Sequence, residues 1–291
     1  MPELPEVETI RIQLERYLTG HKVINIEINT AKIFKGNADI VKGTKFIKAR
    51  RFAKVLSLDF SNGYSLLIHI KMTGQLIYRG PNLSRYFARS APAGLSKKIV
   101  GGVPGKHTHV IFYLDKKGVL YYNDVRKFGW IEIMKTNGVE KSNFVGKLGP
   151  EPFGKLTPDY FRNILSKSSR VIKVLIMDQT KIGGLGNIYA NDALWLSKIN
   201  PSRSGNKLSE SEVKDLYNAI GEVLKSGLKF GGSSENTYVT PDGKEGSYQK
   251  HSLVYGHDGE ICKHCKLKKI KKYFLGGRGT YYCPECQKNQ F

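Results

Sequence analysis

The feature that most constrains how this chain can fold lies near its far end. CKHC at 262–265 and CPEC at 283–286 stand 17 residues apart, a C-x2-C-x17-C-x2-C array that uses all four cysteines of the 291-residue chain. Each C-x-x-C turns two thiolates toward one ion, and two such knuckles on a hairpin complete a tetrahedron. The spacing falls inside the range of four-cysteine zinc sites. Cys262, Cys265, Cys283 and Cys286 are therefore expected to hold one structural zinc ion, Zn2+. All four positions are sulfur, so the site is closed rather than catalytic. Disulfide pairing is the reading this arrangement disfavours in a reducing compartment. His264, between two ligands, is expected to face solvent.

Charge narrows the class of partner. Lys and Arg number 47 against 25 Asp and Glu, a net charge of +22 with pI near 9.7. Such an excess draws a chain toward a polyanion, nucleic acid before an anionic membrane surface. Lys266, Lys268, Lys269, Lys271, Lys272 and Arg278 surround the knuckles. They form either a solvated basic face or a hairpin laid against phosphates. No apolar run approaches the ~18 residues that span a membrane. The acidic N-terminus has no hydrophobic segment of the kind a secretory signal needs. The expectation is a soluble, intracellular (cytoplasmic) protein.

The periodicity changes once along the chain. Val7, Ile10, Leu14 and Tyr17 repeat at helical spacing behind Pro5, which suits a first helical turn. From about residue 20 to 135 the pattern is mostly period two. VINIEI at 23–28 alternates, VLSLDF–SNG–YSLLIHI at 55–70 reads as a hairpin, and HVIFYLDKKGVLYYND at 109–124 reads as another across KKG. The stretch 79–106, rich in Gly, Pro, Ser and Lys, is expected to be a long surface loop. LGPEPFGKLTPD at 148–159 marks a boundary. Helical period follows in DYFRNILSKSS, SRVIKVLIMDQ, NDALWLSK and SESEVKDLYNAIGEVLKSGLKF, the last with Ser209 and Ser211 as cap candidates. Polar, Gly-rich 231–251 reads as a loop. The expected fold is a multi-domain α+β protein. Its parts are an N-terminal helix and β-sandwich over 1–135, a linker over 136–155, a helical helix-two-turn-helix domain over 156–245 and a zinc-finger β-hairpin over 246–291.

The opening MPELPEVETI admits two readings. Removal of the initiator methionine is favoured before proline and would leave Pro2 with a secondary α-amine. An α-amine titrates near ~8, below a lysine at ~10.4, so part of it is an unprotonated nucleophile at neutral pH. The plain alternative is helix chemistry, with Glu3, Glu6 and Glu8 complementing the dipole of a first turn.

Read in order, several stretches decide between them. MPELPEVETIR, RRFAKVL, HIKMTGQL, KHTHV, NDVRKFG, LGPEP, LIMDQTKIGGLGNIYANDALW, INPSR, VYGHDGEICKHC and GGRGTYYCPECQ together resemble the bacterial-type formamidopyrimidine-DNA glycosylases, over nearly the whole chain. The resemblance implies an enzyme that excises oxidised purines (8-oxoguanine, formamidopyrimidines) from double-stranded DNA and cleaves the resulting AP sites by β,δ-elimination. It implies a monomer with DNA in a cleft between its domains. It needs no organic cofactor and no catalytic metal.

By the same resemblance, Pro2 would attack C1′ and form a Schiff base, and Glu3 would protonate the sugar ring oxygen. A carboxyl in a desolvated site has the raised pKa this needs. Glu6 carries over as a further active-site residue. Lys54, placed on a strand, would assist β-elimination, and Arg278 would contact the phosphate beside the lesion and serve δ-elimination. An enzyme that works on a base must evert it. Met72, Arg126 and Phe128 match the residues that fill the hole, with Arg126 on the orphaned cytosine and Phe128 as a wedge. His107, Lys173 and Asn187 match DNA-contacting positions, Asn187 in the glycine turn that precedes a helix N-terminus. The 231–251 segment resembles the loop that covers the everted base, with Ser233 and Tyr248 as candidates. His69 is expected to pack or hydrogen-bond.

Three departures stand out. Lys71 occupies a position where the family usually has glycine, the 79–106 loop is about fifteen residues longer than expected, and Ser169 stands where a basic residue is common, with Arg170 beside it. The competing readings are an endonuclease VIII-like enzyme for oxidised pyrimidines, which usually opens PEGPE, a non-catalytic zinc-finger DNA-binding protein, and a zinc-ribbon RNA-binding protein.

Overall fold

The computed structural model describes residues 1–81, 83 and 95–288. Residues 82 and 84–94 of the predicted 79–106 loop lie outside the described residues, and the described part, 95–106, runs in turns. By internal contacts the chain forms two units, 1–146 with 230–247, and 147–229 with 248–291.

The first unit opens on α1 (Leu4–Leu18). Its apolar stripe does what the spacing demands, since Val7, Ile10, Leu14 and Tyr17 are all at most 1% exposed. The strands are β1 (Val23–Ile28), β2 (Phe34–Lys35), β3 (Phe46–Phe52), β4 (Val55–Phe60), β5 (Tyr64–His69), β6 (Gly74–Arg79), β7 (Thr108–Leu114), β8 (Val119–Asp124) and β9 (Trp130–Lys135). They form a four-stranded sheet in the order β1-β7-β8-β6 and a five-stranded sheet in the order β2-β9-β5-β4-β3. Both expected hairpins form, with Leu58 opposite Leu66 and Phe112 opposite Leu120. Inward side chains of both sheets, among them Leu56, Leu66, Ile68, Leu76, Val110 and Phe112, meet those of α1 in one cluster. Burying each such side chain is worth about 1.5–3 kcal/mol.

The domain boundary drawn at residue 245 is corrected here. Residues 230–247 belong to the first unit rather than to the helical one. Tyr238 lies in the sandwich core, and Val239 packs with Ile77 and Ile99. The contacts that recruit this segment lie far away in sequence, so a polar, glycine-rich string betrays nothing of them.

The second unit contains α2 (Pro158–Ser166), α3 (Ile172–Ile176), α4 (Asn187–Leu196) and α5 (Glu210–Lys229). Thr157 caps α2 ahead of Pro158, its hydroxyl accepting from the Tyr160 N–H at 3.2 Å. Ser209, not Ser211, caps α5. The Ser209 N–H donates to Glu212 Oε2 (2.8 Å) and Ser209 Oγ accepts from the Glu212 N–H (3.3 Å), a reciprocal capping box. α3 is shorter than the apolar periodicity suggests. Asp178 ends the helical stretch by accepting from the Thr180 N–H and hydroxyl (3.0 and 2.8 Å), starting the glycine turn. The unit closes on the hairpin β10 (Lys271–Leu275) and β11 (Arg278–Tyr282).

Candidate active site and nucleic-acid interface

Pro2, Glu3 and Glu6 are buried together at the start of α1. Glu3 is the N-cap. Its backbone N–H donates to Glu6 Oε2 at 2.7 Å, and its own carboxylate takes the Glu6 N–H in return. The second Glu6 oxygen accepts from the Ser233 N–H at 2.7 Å. Carboxylates that bury only 1–3% exposed need such donors. Gly232 fits beside them because it has no side chain. A Cβ there would stand 2.8 Å from Glu6 Cγ, on a backbone with φ +83°. Glu6 is thus tied to a segment 227 residues away in sequence. Ser233 is 6% exposed, and its hydroxyl has no hydrogen-bond partner among the described residues.

Lys54 needs a correction. It does not lie on a strand but in the two-residue turn between β3 and β4, behind Ala53 at φ +52°. The misreading has a physical cause, since neither Ala nor Lys is a turn-forming residue. Long-range contacts hold the turn instead: Arg51 donates to Glu8 on α1 (2.8 Å) and to the Ala53 carbonyl (3.1 Å). Lys54 is 5% exposed. His69 lies edge-on to Phe144 at 5.3 Å, and its Nδ1 accepts from the Lys71 N–H at 3.0 Å. Burial, with the charges of Lys71 and Lys54 adding to it, holds its pKa down to about 3, so the ring stays neutral.

Met72, Arg126 and Phe128 come together on the surface of the same unit. Arg126 Nη1 lies 3.1 Å from Met72 Sδ, and its guanidinium sits 4.7 Å from the centre of the Phe128 ring. Met72 is 39% and Phe128 57% exposed. Asp124, fully buried, builds this turn. It accepts from the Thr73 hydroxyl, the Arg126 N–H (3.1 Å) and the Gly129 N–H (2.8 Å). Gly129 must be glycine, because a Cβ would fall 1.8 Å from Tyr122 Oη. Lys71 adopts φ +50°, which explains why glycine suits that position. His107 is half-buried and enters β7, its carbonyl accepting from the Asp124 N–H at 3.0 Å.

In the second unit the glycine turn leads into α4, which starts at Asn187 with Gly186 as N-cap and no side chain capping it. Asn187 Nδ2 donates to the Gly279 carbonyl at 3.1 Å. Lys173 does not present its charge at the surface. It is 1% exposed and donates to Gly279 O (2.9 Å) and Thr280 Oγ1 (2.8 Å). Both residues therefore brace the hairpin that carries Arg278. Arg278 itself is exposed, the first residue after a Gly276–Gly277 turn with both φ positive. Tyr248 is buried in this unit, its hydroxyl donating to Asp192 at 2.8 Å, so it is no part of a covering loop.

The four Sγ atoms lie within 4.8 Å of one another, with Cys262–Cys286 at 3.8 Å and Cys265–Cys283 at 3.6 Å. A tetrahedral zinc with ~2.3 Å bonds to sulfur sets its ligands about 3.8 Å apart, so the residues fit the ion. The Leu267 N–H, with that of Lys268, points at Cys265 and holds its thiol pKa down to about 6. His264 is exposed, with Nδ1 3.5 Å from Cys286 Sγ.

Sequence reasoning missed Asp124, Asp192 and Gln75, all buried polar residues that organise the site's neighbourhood. Asp124 had a signal, standing inside NDVRKFG beside the two residues it positions. Asp192, on α4, accepts from the Leu253, Val254 and Tyr255 N–H groups at 3.0–3.1 Å, and nothing local announces it.

Comparison with known proteins identifies the family. Residues 1–131 match the formamidopyrimidine-DNA glycosylase N-terminal domain and residues 148–239 the formamidopyrimidine-DNA glycosylase H2TH domain. The formamidopyrimidine-DNA glycosylase of Pelotomaculum thermopropionicum is 36% identical over 99% of both chains, and that of Rickettsia conorii 37% over 99% of both. Among solved structures, Lactococcus lactis Fpg bound to DNA containing N7-benzyl-Fapy-dG superposes with TM-score 0.84 at 34% identity, covering 99% of this chain and 100% of that one. The same protein bound to abasic-site DNA matches equally well, at TM-score 0.84 and 34% identity over the same shares. With family domains matched over residues 1–131 and 148–239 and relatives aligned end to end, this chain belongs to the formamidopyrimidine-DNA glycosylase family.

Proposed function

We propose that this protein is a bifunctional DNA glycosylase and AP lyase for oxidised purines, acting through the amine of Pro2. The observation that carries the reading is the buried Pro2–Glu3 pair, locked to Glu6 at the head of α1, in a chain of this family. The secondary amine attacks C1′ of the damaged nucleotide while Glu3 protonates the ring oxygen. The C1′–base bond breaks, the base leaves with its bonding pair, and an iminium joins Pro2 to the opened sugar. That cation is the electron sink for loss of a C2′ proton and of the 3′ phosphate, and a second elimination releases the 5′ phosphate. Lys54 and Arg278 serve these eliminations. Met72, Arg126 and Phe128 occupy the hole left by the everted base. The zinc held by the four cysteines is structural and keeps β10–β11 in shape. DNA with oxidised bases or AP sites is the partner, and the net charge of +22 supports it.

One observation favours a broader substrate range. Lactococcus lactis Fpg, 34% identical, has also been solved with DNA containing an oxidised pyrimidine. Lesions of both classes therefore belong in the test. Untagged protein is incubated with duplexes carrying 8-oxoguanine or an oxidised pyrimidine opposite its partner, reduced with borohydride and run on a denaturing gel. An adduct on the purine duplex that is lost in Pro2→Gly is expected. A pyrimidine-only adduct overturns the substrate. No adduct on either, with tight DNA binding and methionine removed, overturns the enzyme and leaves a non-catalytic zinc-finger DNA-binding protein.

A further inference from the structure

The four-stranded sheet ends on β6, and an open sheet edge needs a cover. Residues 237–245 supply it. The Tyr78 N–H donates to the Pro241 carbonyl at 2.8 Å, and Val239 packs on Ile77. This cover is itself clamped from outside by residues 95–102, the described end of the long loop. Ile99 joins Val239 and Ile77 in one buried cluster, the Ser96 N–H donates to the Gly243 carbonyl (3.0 Å), and Ser96 Oγ and Lys98 Nζ both reach the Glu245 carboxylate (2.6 and 3.2 Å).

One side chain sits where the three layers meet. Gln75 on β6 is 4% exposed, and its Nε2 lies 2.9 Å from the Lys98 carbonyl and 2.5 Å from the Thr237 carbonyl. Both partners are acceptors, so only the amide NH2 end satisfies them. Thr237 in turn donates from its hydroxyl to the Met72 carbonyl at 3.1 Å. Four residues earlier, Ser233 holds Glu6. The stretch 233–236 is thus slung between Glu6 and an anchor that Gln75 fastens down, carrying the buried Ser233 hydroxyl, which has no hydrogen-bond partner among the described residues.

We propose that Gln75 is a positioning residue for base recognition, tying the 95–102 clamp to Thr237 and so setting the 233–236 stretch against the everted base. The proposal rests on the glycosylase reading above. Glu6 keeps its second tie to the Glu3 N–H whatever happens to the clamp. Elimination at a preformed AP site, which has no base to recognise, is therefore spared.

The test compares single-turnover excision of 8-oxoguanine with incision of a preformed AP-site duplex. Gln75→Leu keeps the volume and removes the donor, leaving two buried carbonyls without it. It is expected to lower excision about tenfold while AP-site incision stays within about twofold. Lys98→Glu is expected to lower the same ratio about threefold, and Lys98→Glu with Glu245→Lys to restore it. An unchanged ratio in Gln75→Leu overturns the proposal, as does failure of the charge swap to recover a loss caused by Lys98→Glu. Limited proteolysis reads the clamp without activity, and faster cleavage within 232–245 in folded Gln75→Leu is expected. If wild type cuts neither duplex, the glycosylase reading fails. The protease result then separately sustains the clamp, and cleavage at the wild-type rate overturns it.

Discussion

The head of α1 and the β10–β11 hairpin both carry residues assigned to chemistry, and they are held by different means. α1 sinks Val7, Ile10, Leu14 and Tyr17 into a core shared with both sheets. The hairpin leaves Phe274 75% exposed, and its cluster contains six buried residues, two of them the cysteines Cys262 and Cys283. What the hairpin lacks in apolar burial is made up by four cysteines placed to bind a metal ion and by polar struts: Lys173 on Gly279 and Thr280, and Asn191 on the Tyr281 N–H at 2.8 Å. Burial holds a shape under most conditions. A metal and a few buried hydrogen bonds hold it conditionally, because the ion can be chelated and each bond lost singly.

The largest expected effect breaks the hairpin alone. Structural zinc contributes about 10–16 kcal/mol of apparent binding free energy to small modules that depend on it. Chelation, or Cys283→Ser, is expected to expose the amides of 262–288 to rapid hydrogen exchange while those of β4, β5, β7 and β8 stay protected. Loss of protection in the strands as well would refute the contrast.

Next in size is Asp192→Asn. Asp192 is fully buried and accepts from Leu253, Val254, Tyr255 and Tyr248. An amide turns one acceptor into a donor facing donors, for a loss of about 3 kcal/mol. Chemical denaturation followed by Trp195 fluorescence in a Trp130→Phe background checks this, and a loss below about 1 kcal/mol would mean that the struts matter less than argued.

The smallest effect separates the sandwich by its response to acid. His69 is held down to about 3 mainly by burial, against an ordinary value of 6.5. Between those values the unfolded chain binds a proton that the folded chain does not, so stability falls as pH drops through that window. The slope is about 1.4 kcal/mol per pH unit. Denaturation midpoints at pH 7, 6 and 5 are expected to show it, and His69→Gln to flatten it.

Much of the site was legible because its signals are local. Period two marked both hairpins, and NDVRKFG placed Arg126 and Phe128 on one exposed turn. Lys54 was misplaced because the β3–β4 turn contains no glycine, asparagine or proline, and is held by Arg51 reaching Glu8. Lys173 was expected only as a match to a DNA-contacting position, and tertiary packing makes it a buried strut. The 230–245 segment was assigned to the helical domain because loops carry no periodicity that names their partners.

By itself the sequence determined the clustered four-cysteine set, the β-then-helical order, the family and the proline–glutamate pair behind the initiator. Spacing and type are the whole of that information, and both survive in an unfolded string. Only the tertiary structure decided that Ser233 binds Glu6, that Asp124 builds the turn under Phe128, and that Gln75 fastens 95–102 to 237–245. Each of these is a buried polar group satisfied by a backbone atom elsewhere in the fold. Burial makes such a bond obligatory, but which donor meets which acceptor follows only from how the sheets and segments pack.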